Sequence, residues 1–194
     1  MSLRLAPIDL APARAWIQRE HSHLDAPTGG KCAVAVEVLD GGGWRLCCVA
    51  LLGRPVSREL QAQGCAEVLR VASDRTPHAA SKALAAITRA GLALGYTRIV
   101  SSTLLGEAGT MYAAAGWRAV ACRLLERGPE VAEWGREGRV REPAAQPGAK
   151  VRWETGPDAL PADPHVEALL RESVGRVEIR ARQERLPLFA GVAS

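Results

Sequence analysis

The sequence predicts an α+β domain, a mixed sheet flanked by helices. Three observations predict it. A glycine-rich turn, Asp40-Gly-Gly-Gly43, separates two strand-like runs. Strand-like and helix-like segments alternate from Ala66 to Leu125. Two of those helix-like segments end on a glycine, at Gly95 and Gly116.

Taken in order, Arg4-Leu5-Ala6 reads as a short first strand. Asp9 is placed to cap a helix reaching about His23, with Ala13, Trp16, Ile17 and Glu20 at helical spacing. Asp25-Ala-Pro-Thr-Gly-Gly30 stops it, because proline and paired glycine break helix and strand alike. Cys32 to Leu39 and Trp44 to Leu52 form the hairpin. Gly53-Arg-Pro55 ends its second strand, and Arg54 to Gly64 reads as a loop. Ala66 to Ala72 alternates as a strand with one polar face. It runs into a turn-forming cluster, Ser73 to His78, and then a long helix from Ala79 to about Leu94. Arg98 to Leu104 is a strand, Glu107 to Ala115 a short helix and Arg118 to Leu125 a further strand.

These elements define a core over residues 1–126. A loop-rich extension follows over 127–162, with a last strand at Ala149 to Glu154. A helix and tail occupy 163–194. Asp163-Pro164 opens that helix as cap and first residue. Val166, Leu169, Leu170, Val174 and Val177 make its apolar stripe, and Glu167–Arg171, Glu172–Arg176 and Glu178–Arg182 are acid-first pairs four residues apart. The stripe packs either on its own domain or on a second copy, so a homodimer through this helix is one of two expectations.

Composition narrows the class. The 194 residues are 47% hydrophobic and 24% charged, as in an ordinary globular chain with a core of its own. No apolar run is long enough for a membrane span, and Asp9 and two prolines interrupt the region where a signal peptide would be apolar. Five cysteines with no C-x-x-C pair argue against a disulfide framework or a zinc site, and no metal is expected; a reducing cytoplasm fits. Cys47 and Cys48, adjacent on one strand, are expected to face opposite sides as small core fillers. Net charge is +4, and only Lys31, Lys82 and Lys150 are lysines. That arginine preference suits bidentate contact with phosphate or carboxylate, and equally suits a GC-rich coding sequence.

The chemistry concentrates between residues 65 and 118. The turn from Arg75 to Ala80 enters the start of a long helix, where unpaired backbone N–H groups and the positive end of the dipole favour an anion. The small residues Ala79, Ala80 and Ser81 would let a phosphate reach the backbone, and Arg75 would add a charged contact. Tyr112 can give a proton to a departing thiolate. Glu67, on the polar face of the strand before the turn, is the first candidate base. His21 and His23 are the second, since histidine titrates near neutral pH.

Arg75-x-x-His78-x-Ala80 and Tyr112-x-x-x-Gly116-Trp117 together resemble the GNAT family of acyl-CoA-dependent N-acetyltransferases over about residues 3–126. His78 stands where the family's loop has glycine. The resemblance implies a mixed, mostly antiparallel sheet flanked by helices, here with a C-terminal extension helix. It also implies acetyl-CoA as cofactor, an amine as acceptor, Tyr112 as the acid for the coenzyme A thiolate and Glu67 as a base acting through water. Arg70, Val71, Arg75, His78, Ala79, Ala80, Ser81 and Tyr112 would contact the cofactor. Trp16, His21-Ser-His23, Pro27-Thr-Gly29, Gly53-Arg-Pro-Val56, Glu67-Val-Leu-Arg70 and Lys150-Val-Arg-Trp153 resemble phage-associated GNAT-like proteins. Gly109-Thr-Met-Tyr112 is similar, more distantly, to Mom-type phage DNA-modification proteins, although Ser101-Ser-Thr103 stands where those carry an acidic residue. Three functions therefore compete: an N-acyltransferase, a nucleobase-modifying enzyme with DNA as partner, and a binding module without catalysis.

Overall fold

The computed structural model describes residues 1–21, 25–125 and 148–173. Its elements are β1 (Leu3–Pro7), α1 (Leu10–Glu20), β2 (Cys32–Asp40), β3 (Gly43–Gly53), α2 (Arg58–Ala62), β4 (Ala66–Ser73), α3 (Ala79–Ala93), β5 (Ile99–Leu104), α4 (Thr110–Ala114), β6 (Arg118–Leu125) and β7 (Gly148–Thr155). The strands form one sheet in the order β1-β2-β3-β4-β5-β7-β6. Every neighbouring pair is antiparallel except β4 and β5. β7, drawn from beyond residue 126, lies inside this sheet between β5 and β6.

β3 is an interior strand, buried without a break from Cys47 to Gly53. Its side chains alternate between two cores. Cys48, Ala50 and Leu52 join Ala83, Leu84 and Ile87 of α3, while Val49 and Leu51 meet Ala13 and Ile17 of α1. Each face of the sheet thus has its own helix. Cys47 and Cys48 do not point to opposite faces as strict alternation predicts; both belong to the α3 core. The cause is a bulge: Val36 pairs with Cys48 and Glu37 with Leu46, which leaves Cys47 as an extra residue whose thiol donates to the Val36 carbonyl at 3.2 Å.

Several boundaries differ from the sequence expectation. α1 stops at Glu20, where the His21 N–H closes the last turn on the Ile17 carbonyl. Asp9 occupies the cap position of α1 without a side-chain cap bond. α2 falls within the stretch expected to be loop, capped by Ser57. α4 begins at Thr110 rather than Glu107, because Glu107 is used in a turn with Leu104. Residues 164–173 are helical, and Asp163 caps them by accepting from the His165 N–H at 2.9 Å. Val166 and Leu170 of the expected stripe are buried in the chain's own core; Val174 and Val177 lie outside the described residues. Among the described residues no helix is long and apolar enough to cross a membrane.

Candidate active site

The site begins where β4 and β5 part. These parallel strands pair only at Ala66 with Ile99 and Glu67 with Val100. From Val68 to Ser73 the edge of β4 that faces β5 has no strand partner. Unpaired backbone groups along a strand are a template for an extended ligand.

The apex of this opening is closed by hydroxyls. Ser101, the next residue of β5, donates through Oγ to the Val68 carbonyl at 3.0 Å, and its Oγ lies 2.8 Å from the Tyr112 hydroxyl. Tyr112 stands on α4, 3% exposed. It stacks on Trp153 of β7 with ring centroids 5.1 Å apart, and meets Trp117 edge-on at 5.5 Å. Both indoles are pinned by their N–H groups, Trp153 to Thr103 at 3.0 Å and Trp117 to Thr88 at 3.1 Å. Gly109 makes the stack fit: its φ is +62°, and a Cβ there would collide with the Trp153 ring. Burial pushes the Tyr112 phenol up to about 12, partly opposed by the Ser101 bond and reinforced by the charges of Glu107 and Glu67. The phenol therefore keeps its proton at neutral pH.

Glu67 occupies the opposite face of the sheet. Val68 packs into the α3 core, so alternation turns Glu67 toward the α1 side. Its carboxylate accepts from the Val56 N–H at 2.7 Å. Burial raises its pKa, while that hydrogen bond and the charges of Arg70 and Lys150 pull it down; the net shift is upward. Arg70 shares this face because β4 carries an extra residue at Leu69, where the register with β3 shifts. The Arg70 guanidinium is committed to backbone carbonyls, Leu69 at 2.6 Å and Asp25 at 3.3 Å. Val71 turns back to the α3 core, where it is partly buried.

At the other end of β4 the chain enters α3 through a strained turn. Asp74 accepts from the Thr76 N–H at 2.9 Å and the Thr76 hydroxyl at 2.6 Å, and it pairs with Arg45. Arg75 and His78 take left-handed backbone angles, φ 71° and 63°. Histidine thus adopts a conformation that glycine reaches without cost. Both side chains are exposed. Ala79 departs from its expected role: it is fully buried in the α3 core, and its N–H is used on the Thr76 carbonyl at 3.2 Å. The amides of Ala80 and Ser81 are the first-turn groups without an intrahelical acceptor.

Tyr112 thus stands at the fork of β4 and β5, the turn that carries Arg75 and His78 and the first turn of α3 follow the far end of β4, and Glu67 and Arg70 are on the other face of the sheet. His21 lies at the end of α1, and His23 is outside the described residues. Among the described residues no group of three or more His, Cys, Asp or Glu is gathered as a metal site. Sequence reasoning missed Ser101, Thr103 and Trp153 as the support of Tyr112. The signal was their parity, since Ser101 pairs with Trp153 and both alternate into the core.

No known protein family matches the sequence, and no curated protein matches it. Solved structures do match. A Salmonella typhimurium acetyltransferase, determined with its cofactor acetyl-CoA, is 11% identical with a TM-score of 0.55; the alignment covers 84% of this chain and 99% of that one. The polyamine N-acetyltransferase of Drosophila melanogaster is 10% identical, TM-score 0.52, over 80% of this chain and all of the other. The ribosomal-protein-S18-alanine N-acetyltransferase of Escherichia coli is 11% identical, TM-score 0.51, over 82% and 97%. The fold is the one these acetyltransferase structures share.

Proposed function

We propose that the chain is an acyl-CoA-dependent N-acyltransferase that passes an acetyl group directly to an amine. The observation that carries this reading is the opening between β4 and β5, with the Tyr112 hydroxyl at its apex and the first turn of α3 at its far end. When bound, acetyl-CoA supplies the activated thioester. The edge of β4 beyond Val68, whose carbonyl already holds Ser101, would take its amide-bearing arm as an added strand. The Ala80 and Ser81 amides, with exposed Arg75 and His78, would hold its diphosphate. Tyr112, protonated at neutral pH, donates to the leaving sulfur. Glu67 takes the proton of the amine from the other face, directly or through water. Its upward-shifted pKa brings it closer to that task. His21 is the alternative base.

Calorimetry with acetyl-CoA, together with release of free thiol in the presence of simple amines, tests this. Saturable binding and thiol release that falls in Tyr112→Phe support it. No heat at millimolar acetyl-CoA overturns it.

A further inference from the structure

The face of the sheet that carries Glu67 changes character along its width. Over β3 and β4 it is covered by α1. Over β5, β7 and β6 the register aligns a different set. Glu67 sits beside Val100, Ser102 opposite Arg152, Leu104 opposite Lys150, and Lys150 opposite Arg123. Residues of the other parity, Val151, Trp153 and Ala119, pack in the α3 core. One acid on this face is already spent: Glu154, fully buried, takes Arg98 at 2.8 and 2.6 Å and Arg152 at 2.9 Å. Lys150 and Arg123 are different. They stand directly across from one another, Arg123 exposed and Lys150 half-buried, and among the described residues no carboxylate is in ion-pair contact with either. Like charges directly opposite on a sheet face destabilise it. The Ser102 hydroxyl is exposed one strand away.

We propose that Lys150 and Arg123, with Ser102, form an anion-recognition site for the acceptor, whose amine lies at Glu67 and whose carboxylate or phosphate lies on the cationic pair. This rests on the acyltransferase reading and names the class of its second substrate. The separation fits an elongated molecule. Lys150 lies two strand spacings across from Glu67, roughly 10 Å, and four residues along β7 from Glu154, which is level with Glu67, roughly another 13 Å. The two backbones are therefore about 16 Å apart, and the long side chains reach toward each other over a gap the length of a six-carbon amine. A diamine would bring a second cation to Lys150, and an amino alcohol would bring nothing to hold.

The test uses length-matched amines, 6-aminohexyl phosphate, 6-aminohexanoate, 6-aminohexanol and 1,6-diaminohexane, with acetyl-CoA and the full chain. The two anionic amines should exceed the other two by at least about tenfold in kcat/KM, and Lys150→Gln should erase the difference. Which of the two anions is preferred identifies the group. Independently of turnover, inorganic phosphate should shift the backbone resonances of Ser102 saturably, and several-fold more weakly in Lys150→Gln. Arg123→Gln should weaken that binding while raising Tm, an outcome a structural role for Arg123 would not produce. Equal turnover of all four amines overturns the proposal and leaves the acyltransferase reading intact. Saturable phosphate binding with no amine acetylated overturns both the acyltransferase reading and the acceptor role. Phosphate binding unchanged in both variants also overturns the proposal.

Discussion

The hydroxyl oxygen of Ser101 lies 2.8 Å from that of Tyr112, and one hydrogen bond fixes which of them donates. Ser101 has a single hydroxyl hydrogen, and it goes to the Val68 carbonyl, which can only accept. The Tyr112 hydrogen therefore points at Ser101. When Tyr112 gives up its proton, Ser101 can rotate its own hydrogen from Val68 to the phenolate and stabilise it. Tyr112→Phe should lower kcat for acetyl transfer by about 100-fold or more. Ser101→Ala should lower kcat less and leave KM for acetyl-CoA unchanged, and Ser101→Thr should recover most of the loss. Steady-state kinetics of the three variants checks this; a Ser101→Ala effect on KM alone would refute the relay.

Glu67 should trade stability for activity. Its folded pKa is raised by burial above the ordinary 4.5. The sign follows: the folded state binds the proton more tightly, so the group favours folding below 4.5 and that contribution is lost as pH rises through the folded value. Above that window the buried carboxylate is a burden. Glu67→Gln should therefore raise Tm at neutral pH and leave it nearly unchanged well below 4.5. The same variant should lose about 100-fold in acetyl transfer, with the rise of activity toward alkaline pH removed. Thermal melts at two pH values and a pH–rate profile check both halves. If the Glu67→Gln variant retains full activity, His21 becomes the base.

How far the sequence reaches is visible in particular residues. The hairpin, α3 and the strand after it were legible because each relies on local signals, namely the glycine turn, the apolar period and Gly95 at φ +91°. Glu67 and Tyr112 were legible because each sits at a fixed place in a local pattern. The Tyr112 support was not, since Ser101 and Trp153 reach it from β5 and β7, two strands far apart in the chain. Nor could the place of β7 be read, since a strand near residue 150 can add to either edge or insert. Cys47 shows the limit of counting by twos: a bulge one residue long changes the face. Ala79 shows another, because a small residue at a helix start serves the core as readily as a ligand.

His78 offers a test of the α3 entrance. It holds φ 63° at the cap position of α3, with no side-chain cap bond. A non-glycine residue in this left-handed region costs about 1 kcal/mol. His78→Gly removes that cost and takes the imidazole away from the residue that precedes the first turn of α3. The variant should gain up to about 1 kcal/mol by chemical denaturation and bind acetyl-CoA at least as tightly as the parent. His78→Val should do the reverse, because a β-branched side chain resists positive φ. Weaker acetyl-CoA binding in His78→Gly would instead assign the imidazole a direct contact with the phosphate.

The Glu154 network should govern acid stability. Glu154 is fully buried on β7, between β5 and β6, and it accepts from Arg98 twice and from the Leu160 N–H at 3.1 Å. Burial alone would raise its pKa, but the Arg98 hydrogen bonds, the Leu160 N–H and the charges of Arg98 and Arg152 outweigh that, and the net shift is downward. A depressed folded pKa contributes stability above the ordinary 4.5 and loses it as pH falls through the folded value. Arg98 also holds Gln63 at 2.8 Å, so the same guanidinium ties the segment after α2 to the start of β5. Removing the acid's charge leaves two half-buried guanidinium groups, Arg98 and Arg152, without their shared carboxylate. Glu154→Gln should cost about 3–5 kcal/mol at neutral pH, and the gap to the parent should narrow as pH drops below 4.5. Urea titrations across that range measure it. A uniform loss at every pH would mean that Glu154 contributes shape rather than charge, and that the network is no anchor for the β4–β5 opening.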